Sequence, residues 1–229
     1  MELYLSQNDV ELKQFYDINN IIHTDCDLYD KESNEIVFSF KKNVIDKELL
    51  NIDSKIIKYS QAFSDNRGDA AGITTKEGII RGKENWTNPP IDVVDPKGNP
   101  LPENHNFSNT FFKMKNGEMN KRQKSNRVKS NSIGGYDRSS QLPCRLTHWT
   151  KNNLQEYKSI YPLCKKVSDL YFSYFPDKWL NQYEKYSDSP SEFVIPETNF
   201  STLTINCDFR TAAHKDKGDY KNGLTGFTV

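Results

Sequence analysis

Near its C-terminus the chain carries His214 and Asp216 at the spacing His-x-Asp, with Asp219 just beyond, behind a run from Thr202 to Asn206 rich in β-branched residues. Imidazole plus carboxylate is a donor pair suited to Fe(II), and a second imidazole would complete a 2-His-1-carboxylate triad with positions open for co-substrates. The run reads as a strand leading into the pair. In an extended segment alternate side chains share a face, so His214 and Asp216 would reach one ion together. Short motifs recur by chance, and the competing reading is a surface or capping pair. Thirteen residues follow Asp216, and none of them is a His.

A second cluster with chemistry lies upstream. Lys113, Lys115, Lys121, Arg122, Lys124, Arg127 and Lys129 face one acid, Glu118, in a short stretch. Such a run can neutralise backbone phosphates of DNA or RNA, with binding that weakens steeply in salt. A solvated loop or a localisation signal is the equally weighted alternative. Charge elsewhere predicts no partner, because 31 basic and 31 acidic side chains cancel over 229 residues. The four cysteines, Cys26, Cys144, Cys164 and Cys207, are scattered without a CxxC, which fits a reducing compartment. His23, His105 and His148 stand in segments without a ligand pattern and read as structural or exposed.

The elements that must position these groups follow from periodicity and punctuation. Aromatic residues make up 12% of the chain, enough for a real core. Glu35–Phe40 and Ile56–Phe63 read as strands, the second leading into a glycine-marked turn at Asn66–Gly72. Pro89, Pro90, Pro96, Pro100 and Pro102 predict a poorly ordered surface loop. Leu142–Trp149 reads as a strand with Thr150 capping a helix near Lys151. Leu163, Val167, Leu170, Tyr171 and Tyr174 recur at helical spacing after Pro162, Pro176 stops that helix, and Asp177 can cap the next. Helices laid against strands that come before and after them make an α+β fold.

Asn66-Arg67-Gly68 with Ala70-Ala71-Gly72, Ser132-Ile133-Gly134-Gly135-Tyr136-Asp137-Arg138, Pro143-Cys144-Arg145-Leu146-Thr147, Thr202–Asn206 and Phe209–Asp219 come in an order that resembles successive blocks of the TET/JBP oxygenase family. The resemblance covers roughly residue 60 to the end. It implies an Fe(II)- and 2-oxoglutarate-dependent dioxygenase, using O2, that oxidises the 5-methyl group of 5-methylcytosine, or of thymine, in DNA. It also implies a double-stranded β-helix core of the jelly-roll or cupin-like kind. On it, His214 and Asp216 are the first two iron ligands and the catalytic pair. Asn206 helps hold 2-oxoglutarate, though it could equally satisfy strand-end backbone groups. Asp219 meets the exocyclic amine of a flipped cytosine, with an Asx turn as its alternative, and Asn131 lies near where the family sets a polar residue against the target base. Lys121, Arg122, Lys124, Arg127 and Lys129 would contact the nucleic-acid backbone.

The expected organisation is an N-terminal extension over residues 1–55 packed on the core and a dioxygenase domain over 56–229, with a flexible Pro/Lys-rich insertion at about 86–130. The family's second His and its 2-oxoglutarate-binding Arg follow the His-x-Asp pair on later strands, while Gly223–Val229 reads as a strand in progress. The expectation is therefore a C-terminally incomplete copy of a larger protein, inactive alone. Two alternatives use the same residues: a non-catalytic nucleic-acid-binding protein built on the 113–129 segment, and a 2-oxoglutarate oxygenase acting on RNA or protein. No run approaches the roughly 18 to 20 apolar residues of a membrane span, and no signal peptide is evident. The sequence-level picture is a monomer, intracellular, nuclear in a eukaryote and otherwise cytoplasmic, whose partner is DNA containing methylated bases.

Overall fold

A computed structural model describes residues 2–5, 12–15, 22–101, 111–120, 125–136, 144–216, 219–220 and 222–228. The chain forms two compact units: Met1–Val44, Ala62–Lys129 and Asp208–Lys215 make one, and Ile45–Gln61, Ser130–Cys207 and Asp216–Val229 make the other. The architecture is α+β with mainly antiparallel sheets, and no closed barrel forms among the described residues.

In the first unit, β1 (Glu2–Leu5) pairs in parallel with β2 (Cys26–Asp30), which pairs antiparallel with β3 (Ile36–Phe40). The two-residue β4 (Phe63–Ser64) pairs with Val128 and Lys129. A short helix, α2 (Lys76–Ile80), starts where the Thr75 hydroxyl accepts the Gly78 N–H, which satisfies one of the donors a helix start leaves open. It packs on β5 (Pro90–Val94), and β5, β6 (Phe111–Met114) and β7 (Met119–Asn120) form an antiparallel sheet. Ile79, Val93, Phe112 and Met114 are its buried core. This sheet stands where the prolines predicted a flexible insertion. Alternation explains it: Phe112 and Met114 turn inward while Lys113 and Lys115 face solvent, and Pro90 begins its strand, a position that donates no ladder bond.

The second unit is helices on an antiparallel pair. It begins with α1 (Lys47–Ile56), continued by a 3-10 turn over Ile57–Ser60. The strand expected at Ile56–Phe63 is thus a helix end as far as Ser60, and of that segment Phe63 alone lies in a strand. Ile45, Leu49, Ile52 and Ile56 recur at helical spacing and all reach one core, so burial of that stripe overrides the local β preference of paired isoleucines. This also divides residues 1–55, since α1 belongs to the second unit and the strands before it to the first.

From Ser130 onward β8 (Val128–Tyr136) pairs with β10 (Thr202–Asn206) and β9 (Arg145–Leu146). Opposite residues share a face, so Asn131, Ile133, Leu203 and Ile205 line one side and Ser130, Ser132, Thr204 and Asn206 the other. The apolar side packs on α4 (Leu154–Ser159) and α5 (Tyr161–Tyr174) through Tyr157, Ile160, Leu163 and Cys164. Burial pushes the Cys164 thiol up to about 12, so it packs as a hydrophobe and is not a nucleophile. The cap of α3 (His148–Asn152) is Thr147, three residues before the expected Thr150, because Thr147 Oγ1 accepts the Thr150 N–H at 3.2 Å. Pro176 opens α6 (Pro176–Ser187), and Asp177 sits inside its first turn. The described residues of Gly223–Val229 form no strand; the Leu224 N–H is taken instead by the Tyr171 hydroxyl at 2.9 Å.

Candidate metal centre

The Gly134-Gly135 pair shows why this stretch tolerates only its own residues. Gly134 has φ of 105°, and a Cβ there would stand 2.2 Å from the Ser201 carbonyl oxygen, while one on Gly135 would stand 2.5 Å from that of Phe193. The backbones meet because nothing intervenes: Gly135 N–H donates to Ser201 O at 2.8 Å, and Gly134 N–H to Thr150 Oγ1 at 2.8 Å. Arg145 stacks over the Tyr136 ring and donates to its hydroxyl. These contacts fix the β8–β10 pair from which the chain runs on to His214.

β10 ends at Asn206, and residues 207–216 are irregular, with Asp208 at a φ of 50°. The strand alternation expected to align His214 with Asp216 therefore does not apply. Other contacts hold His214 in the first unit. Ala212 N–H donates to Ala70 O at 2.9 Å, Ala213 N–H to Gln14 O at 3.0 Å, and Lys13 N–H to Ala213 O at 2.7 Å. The half-buried His214 imidazole sets Nδ1 2.8 Å from Ala212 O. A carbonyl only accepts, so Nδ1 is the donor in this contact, the arrangement found in metal-bound imidazoles with a backbone partner. His214 thus fits a metal ligand on its own geometry.

Asp216 is exposed, and its carbonyl accepts the Asp219 N–H at 3.4 Å. Asp219 is exposed too, and its Oδ2 accepts the Thr225 hydroxyl at 3.2 Å. Among the described residues no group of three His, Cys, Asp or Glu side chains is assembled as a metal cage.

The other candidates divide. Asn206 lies on the polar face of β10 with its Oδ1 accepting Ser130 Oγ at 2.9 Å. Asn131 lies on the apolar face, where its Nδ2 donates to the Tyr59 carbonyl at 2.9 Å. Lys121, Arg122 and Lys124 lie outside the described residues, as does His105. Arg127 donates to the carbonyls of Phe63 at 2.7 Å and Arg81 at 2.9 Å, and Lys129 pairs with Asp208 at 2.8 Å, so both have intramolecular duties. His148 contacts Asn152 on its own helix, and His23 is exposed.

Sequence reasoning missed Asn126 and Lys83. Asn126 is a buried amide bonded to three backbone groups at 71–75. Lys83 is 5% exposed, with Nζ 3.6 Å from the Phe112 ring centre and 5.1 Å from that of Trp86. Burial, aided by the Arg127 charge, pushes its ammonium down to about 8. Nothing in the sequence separates this lysine from its exposed neighbours; only the Gly78 that makes room for Asn126 left a trace.

Residues 130–229 match the family model described as the oxygenase domain of the 2OGFeDO superfamily, Tet_JBP. Thymine dioxygenase JBP1-B of Trypanosoma cruzi is 33% identical over 109 residues, covering 42% of this chain and 13% of that protein. Thymine dioxygenase JBP1 of Trypanosoma brucei brucei is 39% identical over 85 residues, covering 36% and 10%. The bifunctional helicase and thymine dioxygenase JBP2 of Leishmania infantum is 35% identical over 100 residues, covering 42% and 9%. The chain therefore spans about a tenth of the length of these relatives, and the Asn66–Gly72 block lies outside the family match. No solved structure matches the chain. Residues 130–229 are thus similar to the oxygenase domain of the TET/JBP family within the 2OGFeDO superfamily.

Proposed function

We propose that this chain serves an Fe(II)- and 2-oxoglutarate-dependent dioxygenase that oxidises the 5-methyl group of thymine in DNA. The observation that carries the reading is the His214 imidazole, tied at Nδ1 to Ala212 O inside a segment that matches the oxygenase family. The relatives above are thymine dioxygenases, which puts thymine ahead of 5-methylcytosine and reverses the order the sequence blocks gave.

His214 Nε2 and the Asp216 carboxylate would hold the metal. Iron, 2-oxoglutarate and O2 together supply the oxidising power that replaces a methyl C–H by C–OH. The carbonyl partner on Nδ1 keeps the imidazole in one orientation. The Asn206 Oδ1 is engaged by Ser130, which makes its NH2 the end able to donate to a carboxylate of 2-oxoglutarate. Asp219 accepts a hydroxyl proton from Thr225 and could accept one from a base edge in its place. The double-stranded β-helix implied by the family is the framework on which the antiparallel β8–β10 pair would lie.

The test uses the gene product that carries these residues, given Fe(II), 2-oxoglutarate, O2 and duplex DNA containing thymine and 5-methylcytosine. Nucleoside mass spectrometry should find the hydroxymethyl product of thymine, lost in His214→Ala. Product from 5-methylcytosine alone would move the substrate. No oxidised base, with 2-oxoglutarate unconsumed, would overturn the reading.

A further inference from the structure

Asn126 lies outside the matched segment and touches neither candidate ligand, yet three backbone groups of the 71–75 strap converge on it. Its Nδ2 donates to Ala71 O at 3.1 Å and Ile73 O at 2.8 Å, and its Oδ1 accepts the Thr75 N–H at 2.9 Å. The side chain is 9% exposed, so losing a partner leaves a buried polar group without one. Gly78 makes room for it, since a Cβ there would stand 2.1 Å from Oδ1. The residue just before the strap, Ala70, is buried, and its carbonyl accepts the Ala212 N–H at 2.9 Å. Ala212 in turn offers its own carbonyl to His214 Nδ1 at 2.8 Å. The amide's bond to Ala71 O and the Ala212 bond to Ala70 O meet at the Ala70–Ala71 link, and the Ala212 carbonyl joins the imidazole, all within one compact unit.

We propose that Asn126 is a positioning residue for His214: by pinning the strap it sets the Ala70 carbonyl, which sets Ala212, which holds the imidazole in the Nδ1–H form with Nε2 as the metal-binding nitrogen. The inference rests on the reading of His214 as an iron ligand. A carboxylate of the same shape would keep the bond to Thr75 N–H but would replace the NH2, with both its donors, by one anionic oxygen facing two carbonyls. The strap would then shift, and the imidazole would lose its fixed partner.

The test reads the ring-nitrogen NMR shifts of His214 in the metal-free protein, together with Co(II) affinity as a stand-in for Fe(II), in the wild type, Asn126→Asp and Asn126→Ser. Ile79→Val serves as a control of similar thermal stability. The wild type should show the Nδ1–H form. Both Asn126 variants should drift to a tautomer mixture and bind Co(II) about 10- to 100-fold more weakly, the range lost when outer partners of metal ligands are removed. The control should keep the tautomer and the affinity. A wild-type imidazole protonated at Nε2, folded variants with unchanged tautomer and affinity, or unfolding of both variants would each overturn the proposal. A wild type with the expected tautomer and no Co(II) binding would instead remove the iron reading while leaving the positioning of the imidazole in place.

Discussion

The two compact units hold their shape by different means. The second buries a continuous apolar core in which Ile56, Ile133, Ile160, Leu163, Ile195 and Ile205 come from two helices, a turn between helices, a loop and two strands. The first buries a smaller cluster around Ile79, Val93, Phe112 and Met114, and directs much of its backbone through side chains such as Asn126 and Arg127 that bond to carbonyls far along the chain. Apolar burial is strong and non-directional, whereas a buried amide or guanidinium specifies one backbone path. The family match supplies most of the second unit, yet His214, inside that match, is held by contacts in the first. The apolar framework and the contacts that hold His214 are encoded in different parts of the chain.

The comparison can be broken most forcefully at the ligand. Asp216→Ala should lower iron-dependent base oxidation by more than about 100-fold with the fold intact by circular dichroism, a loss beyond that of removing outer partners alone. In the second unit, Gly134→Ala forces a Cβ against Ser201 O at a positive φ and should cost about 2–4 kcal/mol in denaturant unfolding. Ile133→Ala should cost about 2–4 kcal/mol through the cavity it leaves, against about 1 kcal/mol for Ile79→Val in the smaller core. In the first unit Arg127→Met should cost about 1–3 kcal/mol, because the Phe63 and Arg81 carbonyls lose their donors.

The smallest effect is on pH. Lys83 loses its proton near 8 in the folded protein and near 10.5 when unfolded, so between those values the unfolded chain binds the extra proton. Stability should rise across that window, and Lys83→Met should flatten the rise in thermal melts.

The helical stripe after Pro162 and the strand at Glu35–Phe40 were legible, because periodicity is a local property. Ile56–Phe63 misled, since two adjacent isoleucines look like a strand until the stripe back to Ile45 is counted. The proline-rich stretch hid a sheet whose inward residues, Phe112 and Met114, are separated by a lysine that belongs to the alternation. Asn126 could not be found from sequence, because its partners lie more than fifty residues away. What the sequence carried least was the orientation of the His214 ring, which depends on a backbone carbonyl of the kind every residue has.

Anaerobic equilibrium dialysis of Fe(II) against the wild type, His214→Ala and Asp216→Ala tests the central claim most directly. One iron should bind per wild-type chain, and each substitution should weaken binding by at least about tenfold with the fold preserved. Equal iron binding by all three proteins would contradict the account.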